Sequence, residues 1–303
     1  MVKQLLADMD SKLIEKFVKA GKLTAEARKF AESHIKEGAK LLDIADSIEA
    51  KIKHLGGKPA FPVNISVNEI AAHYVPKAND TAILKNGDLV KIDFGVQIDG
   101  CAGDIAFSVS VGKSAENEAL IEAANSALDA AIATVKPGVE IGKIGKAIES
   151  AAKKAGFQVI RNLSGHGIKQ FDLHAEPSIP NFDDYDKTKL EKDSIIAIEP
   201  FITSGKGFVH ESDSGEVFKV MKFAPIRDKE ILLYIQKEYN KLPFARRWLI
   251  EKFGTARTIN AIREALSRGV LYAHKTLREV SGAKVAQAEH TILVSEKVSV
   301  LTK

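Results

Sequence analysis

One hairpin constrains the fold of this chain more than any other feature, because its register can be read from the sequence. Residues 88–112 alternate apolar and polar side chains around Asp99-Gly100, a dipeptide that is favoured in two-residue hairpin turns. A slip by one residue would mix the two faces, so the uniform character of one face supports this register and predicts an antiparallel strand pair. The facing pairs on the apolar side are Ile98 with Cys101, Phe94 with Ile105, Ile92 with Phe107, and Val90 with Val109.

The opposite face of the hairpin places two carboxylates near each other. Asp104 is expected opposite Gly95 and diagonal to Asp93, at a Cα separation of roughly 7–8 Å. Two ionised carboxylates at that range repel each other and raise the pKa of one of them, a conflict that a bound cation removes. From the hairpin alone, two separately solvated aspartates are an equal alternative. Asp99 is assigned to the turn and not to a site.

Other segments carry further residues suited to metal chemistry. His166 lies between two glycines, where an imidazole is not crowded, and His174 follows shortly after it. Glu199 and Glu289 are each an acid within an apolar strand-like run, which is costly unless the acid is paired or bound to a metal. Together, four carboxylates and one histidine form an oxygen-rich set that suits a pair of divalent ions such as Mn, Fe, Co or Zn. A carboxylate shared by two ions would place them about 3.5–4 Å apart, as in two-metal hydrolases.

The composition makes a cytosolic enzyme the default class. Apolar residues make up 45% and charged residues 28% of the 303 residues, the balance of a folded globular protein. No apolar run is long enough to suggest a membrane span, and the N-terminus lacks the pattern of a secretory signal. A single cysteine, Cys101, favours a reducing compartment. The net charge of +4 is small for this length, so no specific nucleic-acid partner is expected.

The periodicity of apolar residues predicts an α/β or α+β domain in which strands alternate with helices. Steps of three and four indicate one amphipathic helix that begins at Thr24, its N-cap, and ends at Leu55 before two glycines. The other predicted elements are helices over 116–134 and 141–155, strands over 194–203 and 288–294, and an inserted group of helices over 229–239, 244–253 and 259–266.

The order Asp, Asp, His, Glu, Glu, and the local phrases around these residues, resemble the pita-bread metallopeptidases. The resemblance covers nearly the whole chain and is closest to the type 2 methionine aminopeptidases, the eukaryotic and archaeal kind. Residues 242–249 also resemble the insertion of the type 2 enzymes, which type 1 enzymes lack. The matching phrases are residues 60–64, 71–74, 91–95, 165–167, 173–175, 197–199 and 287–291, together with Asp104.

This resemblance implies a fold and a set of metal ligands. Residues 1–303 are expected to form a single pita-bread (creatinase/aminopeptidase-like) catalytic domain, with a central antiparallel sheet flanked by helices and a helical type 2 insertion at about 215–275. Two divalent ions per chain (Co, Mn, Fe or Zn) are implied. By resemblance, Asp93 chelates one ion, His166 and Glu199 complete the other, and Asp104 and Glu289 bridge the two.

The resemblance also implies the roles of residues around the substrate. Glu199 is expected to move a proton from the attacking water to the leaving amine. His73 and His174 are expected to hydrogen-bond the scissile peptide and the tetrahedral oxyanion, and Phe61 and Leu173 to line the apolar pocket for methionine. The implied activity is removal of the initiator methionine from nascent proteins and peptides.

The expected protein is a cytoplasmic monomer that acts on nascent N-termini beginning with Met and contacts the ribosome transiently. Two alternatives are a non-catalytic homologue of this fold that binds ribosomes or RNA, and a Xaa-Pro dipeptidase. The non-catalytic homologues have lost metal ligands, whereas this chain has all of the expected ones. The dipeptidases usually carry an additional N-terminal domain, and only 92 residues precede Asp93 here.

Overall fold

The computed structural model describes residues 2–212 and 215–303, with side chains from residue 11 onward. No helix in this described part is long and apolar enough to cross a membrane. The helices are α1 (Val2–Glu32), α2 (Leu41–His54), α3 (Ala115–Thr134), α4 (Ile141–Lys154), α5 (Lys229–Glu238), α6 (Arg246–Phe253) and α7 (Thr255–Ser267). The strands are β1 (Lys58–Pro59), β2 (Asn64–Val67), β3 (Ile70–Ala72), β4 (Leu89–Ile98), β5 (Cys101–Ser110), β6 (Gln158–Val159), β7 (Ser164–Lys169), β8 (Asp172–Pro180), β9 (Ser194–Ile198), β10 (Phe201–Thr203), β11 (Val209–Glu211), β12 (Val217–Val220), β13 (Phe244–Ala245), β14 (Leu271–His274), β15 (Leu277–Glu279), β16 (Val285–Gln287), β17 (His290–Val294) and β18 (Ser299–Val300).

The predicted hairpin is the pair β4–β5, and its register is the predicted one along the whole ladder. Asp99 and Gly100 form the turn with φ values of 50° and 82°, the left-handed conformation that this kind of two-residue turn requires. The face that carries the two aspartates is covered by protein, and Asp104 is only 3% exposed. The alternative of two separately solvated aspartates is therefore wrong.

Two pairs of helices cover the sheets, each over its own hydrophobic core. α1 and α2 pack on the hairpin sheet around side chains such as Ile48 and Phe94. α3 and α4, which confirm the helices predicted over 116–134 and 141–155, pack on a five-stranded sheet ordered β18-β17-β9-β7-β8. The neighbouring strands of both sheets are antiparallel. The predicted α+β architecture of antiparallel sheets flanked by helices is confirmed.

The long N-terminal helix predicted to begin at Thr24 is in fact two helices, so that prediction was wrong. Residues 33–40 separate α1 from α2, and the backbone N–H of Gly38 donates to the carbonyl of Leu84 (2.8 Å) instead of continuing a helix. Thr24 is not an N-cap but lies inside α1. Its buried hydroxyl accepts a hydrogen bond from the backbone N–H of Val96 (3.3 Å), which ties α1 to β4.

Glu199 and Glu289 were predicted within strands, but they lie in breaks between strands. Glu199 follows β9 and precedes β10, and Glu289 lies between β16 and β17. β9 pairs with β17, and β10 pairs with β16, in one common register. The two acids therefore lie opposite each other where strand pairing is interrupted. At this position neither side chain has to lie on the apolar face of a sheet.

The inserted segment contains the predicted helices, observed as α5, α6 and α7, and in addition a small sheet ordered β13-β12-β14. The helices and one face of this sheet share a core that includes Phe218 and Phe244. A buried ion pair between Glu49 of α2 and Arg247 of α6 joins the segment to the N-terminal half. The indole N–H of Trp248 also donates to Glu49 (2.8 Å), so the insertion is anchored by a charged group whose oxygens have partners.

Candidate metal centre and active site

All the residues that the sequence predicted for the site line one cavity. Its volume is about 300 Å³, at the lower end of the range for small-molecule sites. The carboxylates and His166 lie on strands or strand breaks of the two main sheets, so the scaffold that holds them is rigid. The predicted residues in the wall are Phe61, His73, Asp93, Asp104, His166, Leu173, His174, Glu199 and Glu289.

Four carboxylates and one imidazole converge in this cavity. Ligand atoms of Asp104, His166 and Glu289 all lie within 4.8 Å of one another. His166 Nε2 is 3.8 Å from Asp104 Oδ2 and 3.7 Å from Glu199 Oε1. The other ring nitrogen, Nδ1, is 3.1 Å from the carbonyl oxygen of Gly167, which fixes the proton on Nδ1 and directs the lone pair of Nε2 towards the acids.

Hydrogen bonds between the hairpin and the second strand break fix the spacing of the acids. The Thr291 hydroxyl accepts from the backbone N–H of Asp104 (2.7 Å) and donates to the carbonyl of the same residue (2.8 Å). The backbone N–H of Glu289 donates to the carbonyl of Ala106 (2.8 Å). β5 is thereby joined directly to the segment that carries Glu289, and the two acids cannot move apart independently.

The chemistry of this donor set fits a divalent cation. Asp104 Oδ1 and Glu289 Oε1 are buried and lack a hydrogen-bond partner among the described residues. Burial, followed by repulsion from neighbouring carboxylates, raises the pKa of Asp104, Glu199 and Glu289 well above the usual range, and burial raises the pKa of Asp93 to about 7. A cation among these oxygens removes the repulsion and supplies the missing partner.

Gln287 is a contributor to this centre whose role sequence reasoning did not identify. Its side-chain amide donates to Glu199 Oε2 (3.2 Å) and also to Asp93. The amide is 1% exposed, and Ser108 holds its backbone by hydrogen bonds in both directions. One amide group therefore fixes two acids that come from different sheets. The signal was present in the matching phrase at 287–291, where only Glu289 was assigned a role.

Four histidines line the cavity beyond the acids, in a row of ring contacts. The rings of His166 and His174 are 4.6 Å apart at 79°, those of His174 and His274 are 5.9 Å apart, and those of His274 and His73 are 5.4 Å apart at 77°. Burial lowers the pKa of each of them, to about 4 for His166 and about 3 for His274. These imidazoles are therefore neutral at physiological pH and can both donate and accept hydrogen bonds.

His274 is the member of the row that sequence reasoning missed. It comes from β14, at the end of the inserted segment, and no local phrase around it indicates chemistry. Only the tertiary fold brings it to the cavity. Of the other histidines left unassigned by the sequence, His290 is buried and its Nδ1 bonds to the hydroxyl of Thr302 (2.9 Å), and His210 is exposed and pairs opposite Arg278. Neither lines the cavity.

Comparisons with known proteins agree with this geometry. The sequence profile of the metallopeptidase family M24 matches residues 15–296. The chain is 43% identical over 295 residues to the methionine aminopeptidase of Pyrococcus horikoshii, which covers 96% of this chain and 99% of the relative. It is 42% identical over 298 residues to the methionine aminopeptidase of Archaeoglobus fulgidus, covering 97% and 99%.

A solved structure has the same fold. The crystal structure of the methionine aminopeptidase from Thermotoga maritima superimposes with a TM-score of 0.73 at 27% identity, and covers 96% of this chain and 97% of that one. The predicted pita-bread fold and the predicted resemblance to archaeal methionine aminopeptidases are confirmed. The chain belongs to metallopeptidase family M24.

Proposed function

We propose that this protein is a metal-dependent methionine aminopeptidase of the type 2 kind, which removes the initiator methionine from nascent proteins and peptides. The observation that carries the proposal is the cluster of buried carboxylates with His166 at one end of the cavity. Its spacing and its unpartnered oxygens favour metal-assisted hydrolysis. The extent of the similarity to archaeal methionine aminopeptidases supports the substrate.

Two divalent ions per chain, chosen among Co, Mn, Fe and Zn, are part of the proposal. Asp93 would hold one ion, His166 and Glu199 the other, and Asp104 and Glu289 would bridge them. When bound, such a pair lowers the pKa of a water molecule and polarises the peptide carbonyl.

The residues of this chain then orient the peptide and move its protons. Glu199 takes a proton from the attacking water and passes it to the nitrogen of the leaving amine, acting first as a general base and then as a general acid. His73 Nδ1 lies 3.3 Å from the carbonyl oxygen of Lys275. Because a carbonyl can only accept, Nδ1 carries the proton, and Nε2 is left to accept from the N–H of the scissile peptide.

His174 has the complementary task. Burial, and then the neighbouring His166 and His274, lower its pKa, so that it meets the substrate as a neutral imidazole. It donates a hydrogen bond to the carbonyl oxygen on which negative charge develops, as oxyanion-stabilising groups do. Phe61 and Leu173, which are 6% and 2% exposed, form the apolar wall for the methionine side chain.

The remaining parts of the proposal concern the protein as a whole. Residues 1–303 form one catalytic domain, and residues 215–275 form its type 2 insertion, with a sheet as well as helices. The enzyme works as a monomer in the cytoplasm, where chains that begin with Met emerge, and it contacts the ribosome only transiently. The single cysteine agrees with a reducing compartment.

An assay with two kinds of peptide tests the proposal. Purified protein is treated with a chelator, reloaded with Mn(II) or Co(II), and incubated with Met-Gly-Met-Met or with X-Pro dipeptides. We expect metal-dependent release of methionine from the first and none from the second. Cleavage of X-Pro dipeptides alone would identify a dipeptidase. A folded protein that binds metal and cleaves neither would identify a binding homologue and overturn the proposal.

A further inference from the structure

We propose that His274 is a positioning residue, which holds His73 and His174 in the orientation needed to bind the scissile peptide. This inference rests on the proposed function and adds a role for the insertion. His274 lines the cavity, yet it is contributed by a segment that folds around a core of its own. The insertion thus reaches the site through this side chain.

The small sheet of the insertion has two unlike faces, and one is turned to the site. Phe218 and Leu271 lie in the core of the insertion. Residues on the opposite face include Val217 and His274, which pair directly with each other across β12 and β14, and both line the cavity. The alternation of a strand therefore places His274 against the site whenever the insertion core is formed.

An ion pair joins this sheet to the β7–β8 strand pair, which carries His174. Lys219 Nζ, on the cavity-facing side of β12, is 3.2 Å from Asp172 Oδ1 on β8. The Lys219 side chain is 19% exposed, so the pair is partly shielded from water. Asp172 lies two residues before His174, so this ion pair holds the insertion close to the β7–β8 strand pair.

The ring of His274 contacts both proposed catalytic histidines. It meets His73 edge to face, with centroids 5.4 Å apart at 77°, and lies 5.9 Å from His174. Its Nε2 is buried and has no hydrogen-bond partner among the described residues. Packing therefore sets the orientation of this ring, and it transmits that orientation to the rings on either side.

The residue after His274 completes the support of His73. The carbonyl of Lys275 accepts from His73 Nδ1 (3.3 Å), while the ring of His274 packs on the same imidazole. His73 itself has a φ of 65°, a strained conformation for a residue with a side chain, which persists only when its surroundings enforce it. Ring contact and carbonyl together fix the Nδ1–H tautomer that leaves Nε2 free for the substrate.

Two variants and a matched control test this role. H274A removes the ring, whereas H274F keeps a flat ring of similar shape and removes only the nitrogens. L233A is the control, because Leu233 lies on α5 of the insertion, is 62% exposed and does not line the cavity. Each protein is prepared with zinc, and the ring ¹⁵N signals of His73 are recorded, with H73N used for assignment. The kcat and KM for Met-Gly-Met-Met are measured in parallel.

In the parent protein, H274F and L233A, we expect His73 to show a single Nδ1–H tautomer. In H274A the signals should report a mixture, kcat should fall by about tenfold because the reacting groups are misplaced, and KM should stay nearly constant. Parental signals and kcat in H274A would overturn the inference, as would an equal loss in L233A or failure of H274F to restore the parental behaviour. A parent protein that releases no methionine would refute the proposed function, while the spectra would still test His274.

Discussion

The two ends of the cavity respond to burial in opposite ways. At one end, burial raises the pKa of carboxyl groups, to about 7 for Asp93. At the other, burial lowers the pKa of imidazoles, to about 3 for His274. The physical cause is the same, since low polarisability disfavours the charged form of any group. The ionised acids are therefore unstable without a cation, whereas the histidines are stable in their neutral form.

The two ends of the cavity therefore keep their geometry in different ways. The carboxylate end has unpartnered buried oxygens on Asp104 and Glu289 and depends on an ion to be stable when ionised. The histidine end is held by ring packing and by backbone carbonyls, and needs no ion to keep its geometry. Changes at the first end should affect metal binding, and changes at the second should affect catalysis alone.

The largest effect is expected at the carboxylate end. Glu289→Ala removes an acid that we propose as a metal ligand, and loss of the metal-derived stabilisation of the transition state, which is several kcal/mol, lowers kcat/KM by about 10³-fold or more. Metal content is measured by mass spectrometry beside methionine release. Glu296→Ala, at a side chain that is 80% exposed, is the matched control and should retain both. Parental activity in Glu289→Ala would remove Glu289 from the site.

At the histidine end, His174→Asn should reduce kcat by about 10²- to 10³-fold, the usual cost of losing one oxyanion donor. Metal content should not change, because His174 packs on the ring of His166 and is not one of the proposed ligands. Steady-state kinetics and metal analysis on the same preparation check both statements. If His174→Asn lost its metal, the proposed separation between the two ends would fail.

Gln287 offers a finer test, because it touches the acids without being a ligand. Gln287→Ala removes the amide that donates to Glu199 and Asp93, and outer-shell partners of this kind are typically worth about 10- to 100-fold in metal affinity or activity. Calorimetric titration of the metal-free variant measures the loss. Unchanged affinity and unchanged activity would show that the acids keep their positions without the amide.

The smallest expected effect is on the stability of the metal-free protein as pH changes. The pKa of Asp93 is raised to about 7 when folded, so between about pH 4 and 7 this carboxyl group binds more protons in the folded state than in the unfolded state. This one group therefore lowers stability as pH rises, by at most about 1.4 kcal/mol per pH unit. Asp93→Asn should remove this contribution, leaving those of Asp104, Glu199 and Glu289, and stabilise the metal-free protein more at pH 7 than at pH 5.

Urea unfolding at the two pH values measures this difference. The histidines act with the opposite sign, because the pKa values of His166 and His274 are lowered. Their contribution to stability is present above about pH 6.5 and is lost as pH falls towards the folded pKa. An equal effect of Asp93→Asn on the free energy of unfolding at both pH values would contradict the assignment of Asp93 to the carboxylate end of the cavity.

The sequence was sufficient for those parts of the site that lie within one local pattern. The register that places Asp104 opposite Gly95 followed from period-two alternation and an Asp-Gly turn, and it is observed. The strand breaks at Glu199 and Glu289 were not predictable, because an apolar run has the same pattern whether or not its ladder is interrupted. The division of the first helix into α1 and α2 depends on hydrogen bonds to residues 82–84, which lie far away in the sequence.

His274 and Gln287 were missed for a similar reason. His274 gains its place only when the insertion folds and β14 pairs with β12. Gln287 reaches Glu199 and Asp93 only when the tertiary fold brings the strand break at Glu199 next to the β4–β5 hairpin. Residues that act through tertiary contacts leave no periodic signal in the chain, so a single sequence identifies the ligands more readily than their supports.

The most direct test of the account is a titration of metal-free protein with Mn(II), in which bound metal and methionine release from Met-Gly-Met-Met are followed together. We predict no release without metal, uptake of two ions per chain, and recovery of release as the ions bind, with His174→Asn taking up the same metal but releasing far less methionine. Full release by the metal-free protein, or recovery without any uptake of metal by the carboxylate cluster, would contradict the account.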